Sequence, residues 1–119
     1  MIIHLGHLPP RELSPNARLH HMALYQAKLA AKEEMYLRVL EQGRPLVPFT
    51  QAHITITWIA KDKRRRDIDN LFSSMKAYLD GLVFADVLFD DSADLVGYTL
   101  RYERGDKDDT IIEVEEARL

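Results

Sequence analysis

The chain reads as an α+β domain, a small mixed or antiparallel sheet with two main helices packed on it. Three observations predict this. Residues 53–60 and 95–103 alternate apolar and polar with the period of a half-buried strand. Residues 16–42 are rich in Ala, Leu, Gln, Lys and Glu, all good helix formers. Residues 71–82 carry apolar side chains at helical spacing. At 119 residues the chain is one domain, long enough for a core and short for two.

The elements follow in order. Residues 1–8 predict a short strand ended by Pro9-Pro10. Leu13-Ser14-Pro15-Asn16 predicts a helix start, with Ser14 or Asn16 as cap and Pro15 in the first turn, where its missing N–H costs nothing. Gly43 and Pro45 stop that helix. His53–Ala60 is a strand with Ile54, Ile56, Trp58 and Ala60 on one face. The basic segment after it is a loop. A second helix starts near Asp69 or Asn70, either able to cap it, and its core stripe is Leu71, Phe72, Met75, Tyr78, Leu79 and Leu82; Gly81 blurs its end. Leu95–Glu103 puts Val96, Tyr98, Leu100 and Tyr102 on one side. A polar turn, Arg104–Asp109, leads to a strand at Thr110–Glu115. The last two strands are expected to pair as an antiparallel hairpin, with the helices on one side of the sheet.

Composition narrows the function. The absence of cysteine excludes disulfides and thiolate zinc sites and fits a reducing cytoplasm. No apolar run reaches membrane-spanning length, and Met1-Ile2-Ile3-His4 lacks the cationic start of a signal peptide. A net charge of −3 argues against simple electrostatic capture of nucleic acid, but local charge decides contact. Lys61, Lys63, Arg64, Arg65 and Arg66 lie within six positions, and much of the acid lies in the tail. The five histidines show no zinc spacing, and there is no Gly-rich phosphate loop or Gly-x-Ser-x-Gly elbow.

The chemistry concentrates at Arg64-Arg65-Arg66-Asp67-Ile68-Asp69-Asn70, with Asp90-Asp91 further on. Magnesium or manganese takes hard oxygen ligands. Asp67 and Asp69 leave the same face if the chain there is extended, and converge on one metal with Asp91, or less readily Asp90. Singly, each feature has a bland reading. Asp-x-Asp commonly marks a solvated loop or a cap, Asp90-Asp91 a turn, and a basic cluster a solvated edge. Adjacency favours function, because a phosphate-binding stretch leading into metal ligands joins substrate to catalyst. Asp69, Ser73, Lys76 and Asp80 share the helix face opposite the core stripe, which aims Lys76 back toward the carboxylates. By itself Lys76 reads as a solvated lysine with an ion-pair neighbour.

The segment Arg64–Leu71, the helix ending in Leu79-Asp80-Gly81 and the Asp90-Asp91 pair together resemble the RusA-type Holliday junction resolvases. Pro9-Pro10 and Ser14-Pro15-Asn16 are similar to that family's opening. The resemblance implies a single RusA-like endonuclease domain over residues 1–119, a homodimer that binds four-way DNA junctions and cuts two opposed strands with magnesium (manganese as a substitute). It is a family of phages and prophages, acting in DNA recombination and repair in the bacterial cytoplasm at the nucleoid. It carries metal and catalytic roles to Asp67, Asp69 and Asp91, with Lys76 as a further catalytic candidate. The residues expected on DNA are Lys61, Lys63, Arg64, Arg65 and Arg66, with Asn16 and Arg18. The dimer contact is expected on the N-terminal strand or the first helix.

Two positions depart from the family. Its frequent lysine falls at Ser73, and its frequent glutamine after the acidic pair falls at Ala93. They motivate a second expectation, a catalytically weakened protein that only binds branched DNA. A nucleotide-diphosphate transferase using Asp-x-Asp is a third, set back by the small size of the chain.

Overall fold

The structure is a computed structural model that describes residues 1–117. The chain forms β1 (Ile2–His4), a 3-10 turn (Arg11–Leu13), α1 (His21–Gln42), β2 (Ala52–Ala60), α2 (Ile68–Ser73), α3 (Lys76–Phe84), β3 (Val96–Arg104) and β4 (Asp109–Glu116). The four strands make one mixed sheet in the order β1-β4-β2-β3.

β2 is rich in β-branched residues and takes an inner position. Ile54, Ile56, Trp58 and Ala60 point to one face and are fully buried, as their alternation predicts. Register lines up a row across the sheet, Ile3 against Ile112, Ile112 against Ile56, and Ile56 against Leu100. That row meets Ala31, Met35 and Val39 of α1 and Tyr78, Leu79 and Leu82 of α3 in one core. Burying each of the larger side chains contributes about 1.5–3 kcal/mol. On the other face Thr55, Ile59, Thr99 and Glu113 stay partly open to solvent.

The expected hairpin does not form. β3 pairs with β2 in parallel, β4 pairs with β2 antiparallel, and β2 lies between them. Burial follows this order: inner β4 hides Thr110, Ile112 and Val114, whereas Tyr98, Leu100 and Tyr102 of the edge strand β3 are half-exposed. The short link from β3 to β4 therefore crosses the end of β2. Gly105 donates its N–H to the Ala60 carbonyl at 3.1 Å. A Cβ on Gly105 would stand 2.6 Å from Ile59 Cγ2, which explains the glycine.

Three boundaries also differ from expectation. β1 ends before the prolines, because Gly6 turns the chain out at φ +79°. The long helix starts at His21, not at Ser14–Asn16. Ser14 Oγ does accept the Asn16 N–H at 3.3 Å, but this closes one local turn, and the chain then extends to His20, whose ring caps Met22. The second helix starts at Ile68 and is broken between α2 and α3. Ser74 Oγ bonds back to the Asn70 carbonyl at 2.9 Å, and Met75 N–H reaches Phe72 O, so the ladder tightens there. The core stripe survives the break at Met75, Tyr78, Leu79 and Leu82, while Leu71 and Phe72 are half-buried.

Two contacts fix α1 against its neighbours. Gly81 lies inside α3 at its closest approach to α1, where a Cβ would meet Met35 Cβ at 2.7 Å and Lys32 O at 3.0 Å. His7 bridges the segment after β1 to α1, with Nδ1 2.7 Å from Leu8 O and Nε2 2.6 Å from Glu34 Oε2. Both partners accept, so the pair favours the ring with both nitrogens protonated. Tyr78 donates to the other Glu34 oxygen at 3.0 Å. Burial alone would lower the His7 pKa, but the Leu8 carbonyl and Glu34 outweigh it and raise it, with Arg38 opposing.

Gly81→Ala should destabilise the fold by about 1–3 kcal/mol in chemical denaturation, because neither backbone nor Met35 Cβ can give way. A pKa raised on folding stabilises fully below the unfolded value of about 6.5 and is lost as pH rises through the folded value. The melting temperature should therefore fall as pH rises above 6.5, by less than about 1 kcal/mol in stability because the pair is part-exposed. His7→Gln should flatten that segment of the pH profile, as read by thermal unfolding from pH 6 to 9.

Candidate nucleic-acid and metal site

The basic loop after β2 is shaped by one of its own arginines. The Arg66 guanidinium grips both oxygens of Asp62 at 2.7 and 3.0 Å and donates to Tyr102 Oη at 3.3 Å. Arg104 donates to the Asp62 carbonyl from the edge strand. The hydrogen bond from Arg66 pulls the Asp62 carboxyl down to about 2. Arg66, expected on DNA, is thus turned inward and holds the loop. The same clamp leaves Arg64 and Arg65 outward, with the Arg65 side chain 92% exposed. Lys63 is exposed as well.

Asp67 sits at the N-cap of α2, yet its carboxylate makes no capping bond and faces Arg65 at 3.5 Å. Asp69 lies in the first helical turn and is exposed. The two do not share an extended segment, which corrects the expectation of a common face. Residues two apart on a helix point in different directions.

Asp91 lies beyond α3, and its Oδ2 accepts from Lys76 Nζ at 2.9 Å. Lys76 also donates to Asp80 at 2.7 Å. These two carboxylates hold the Lys76 ammonium well above the usual lysine range, Asp80 contributing more. In return Lys76 lowers the Asp91 pKa against a burial penalty. Asp90 serves a local turn, accepting the Asp91 N–H at 2.8 Å. Beneath lies Tyr98, its phenol raised by burial and by the Asp91 and Asp80 charges, with Phe72 edge-on at 5.1 Å. The alternation of residues 95–103 placed Tyr98 on one side with Val96 and Leu100, and it does pack against the core; the nearby Asp91 and Asp80 charges were not foreseen.

Among the described residues, no three His, Cys, Asp or Glu side chains form a group that could hold a metal. As placed, Asp67, Asp69 and Asp91 do not fit a bound cation. β2 and β3 run parallel, so Asp67 follows the far end of one strand and Asp91 precedes the near end of the other. Lys76 reaches Asp91 from the helix that connects them.

The remaining candidates divide. Asn16 and Arg18 lie on the extended segment before α1, where they line a cavity of about 550 Å³ together with Arg64. Asp67, Asn70, Arg64 and Arg65 line a neighbouring cavity of about 400 Å³. Lys61 lies elsewhere, its N–H bound to Asp108 at 2.9 Å in a cleft shared with Asp106 and Asp109. Arg11, which lines both arginine cavities, was not singled out by sequence, where it is a lone cation after two prolines. No helix of the described residues is long and apolar enough to cross a membrane. No protein-family model matches the chain, and no curated protein matches its sequence.

Proposed function

We propose that this chain is a magnesium-dependent, structure-specific endodeoxyribonuclease that resolves four-way junctions by paired phosphodiester hydrolysis in DNA recombination and repair. One observation carries the reading. An exposed pair, Arg64 and Arg65, leads directly into two exposed carboxylates, Asp67 and Asp69, and the following helix presents Lys76 against Asp91.

The side chains suit phosphate chemistry in a definite way. Arg65 and Lys76 are both engaged by carboxylates, Asp67 and Asp91. A phosphodiester brought into the site competes for the same two cations, and each cation that turns to phosphate releases a carboxylate. Lys76 stays protonated at any physiological pH, so it serves as a fixed positive charge on the phosphate and not as a base. Magnesium, when bound, would supply a hard Lewis acid for the phosphate and the attacking water. The products are a 5′-phosphate and a 3′-hydroxyl.

A two-fold dimer supplies two equivalent sites for paired cuts. Met22, Tyr25 and Leu29 are exposed on the first half of α1 in a single helical stripe, the surface assigned here to that contact.

A second reading has its own support. The separation of the three aspartates in the chain favours a protein that binds branched DNA without cutting it.

Asp67→Asn and Asp69→Asn should each lower cleavage of a synthetic four-way junction in magnesium by at least about 100-fold. Junction binding should persist or tighten, since a negative charge near phosphate is removed. A matched linear duplex should stay intact. Full cleavage by either variant would end the nuclease reading, and wild-type binding without cleavage across magnesium and manganese would establish the second one.

A further inference from the structure

We propose that the extended segment Leu8–Leu19 and the arginine loop are the two walls of a channel for the sugar-phosphate backbone of one DNA strand, with Arg11 as its central phosphate contact. This rests on the reading that the chain acts on DNA. The two arginine-lined cavities adjoin, because Arg11, Ser14, Asn16 and Arg64 line both. One opens toward Asp67 and Asn70, and the other runs out past Arg18. Asp67, one of the candidate carboxylates, lines the first of them.

The lining decides the ligand. The first cavity carries four arginines and one aspartate, and the second three arginines and one glutamate. Arg11, Arg18 and Arg64 have no ion-pair partner among the described residues, so their charge is free for phosphate. Ser14, Asn16 and Asn70 add neutral hydrogen-bonding groups of the kind that contact phosphate and sugar. No aromatic side chain lines either cavity, so bases have no platform to stack on. Recognition is therefore of backbone, independent of sequence. Cavities of about 400 and 550 Å³ are on the scale of pockets that take a drug-sized ligand, room for a short stretch of sugar and phosphate. The occupant proposed is one strand, such as the strand that passes between arms at a branch point. Elsewhere on the surface the balance reverses. The cleft that holds Lys61 and Lys107 is lined by Asp106, Asp108 and Asp109, which repel phosphate.

The test is fluorescence anisotropy in EDTA, so that binding is read without cleavage. The probes are a branched DNA with a single-stranded thymidine arm, the same DNA with a mixed-sequence arm, and a blunt duplex of equal length. Wild type should prefer both armed DNAs alike. Arg11→Ala should lose that preference, and its log affinity should fall less steeply with log salt, by about 0.7 in slope, the share of one single-strand phosphate. Arg18→Ala should shift the slope in the same direction, and Lys107→Ala should change nothing. Arg11 is exposed, and an unchanged melting temperature will verify that the variant folds. Wild-type slope and preference in Arg11→Ala, equal binding of blunt duplex, or dependence on arm sequence would each overturn the channel. Junction cleavage in magnesium is scored separately. Cleavage without arm preference defeats the channel alone, and arm preference without cleavage defeats the nuclease alone.

Discussion

The placement of β2 between β3 and β4 is the constraint from which the rest of the molecule follows. Ile54, Ile56 and Trp58 are fully buried on its core face, and both of its edges are paired. An inner strand with a parallel neighbour needs a crossover, and α2 with α3 supplies it. The crossover lies against α1 through Gly81, where contact is too close for a side chain. It also begins with the arginine loop and carries Lys76 in its middle. The position of every candidate residue after Ala60 therefore depends on which strand fills that slot.

This topology explains the electrostatics of the site. The parallel pairing keeps Asp67 and Asp91 at different ends of the crossover, and each is neutralised by a nearby cation, Arg65 or Lys76. Uncompensated carboxylates in one place would repel one another. The arrangement instead holds acids and bases as matched pairs. Arg66 stands outside this exchange. Its two-pronged grip on Asp62 and its bond to Tyr102 fasten the loop to the edge strand, so that the neighbouring arginines are presented from a fixed base.

Much of this fold was legible in the sequence, and the misses have physical causes. The β2 face was legible because period-two alternation with β-branched residues has one good solution, and the Met75–Leu82 stripe because helical spacing survives a local break. Strand order was hidden. β3 and β4 both alternate and are separated by a short polar turn, which is also how a hairpin reads. Only the deeper burial of Ile112 and Val114 decides between them. The break at Ser74 depends on a bond back to Asn70, a choice that serine makes in some helices and not in others. The late start of α1 was missed because propensity continues to Asn16 although little there is buried. At the site, the helix face put Lys76 on the side of Asp80, but its contact with Asp91 was not foreseen. The inward turn of Arg66 rests on Asp62 in its own loop and on Tyr102, which is distant in sequence.

The most direct measurement is anomalous scattering from manganese in crystals of the protein grown with an uncut four-way junction. A peak in contact with Asp67 or Asp91, with Lys76 turned from Asp91 to a phosphate, is the expected result. Manganese bound only to DNA, with Lys76 still on Asp91, would contradict the proposed chemistry.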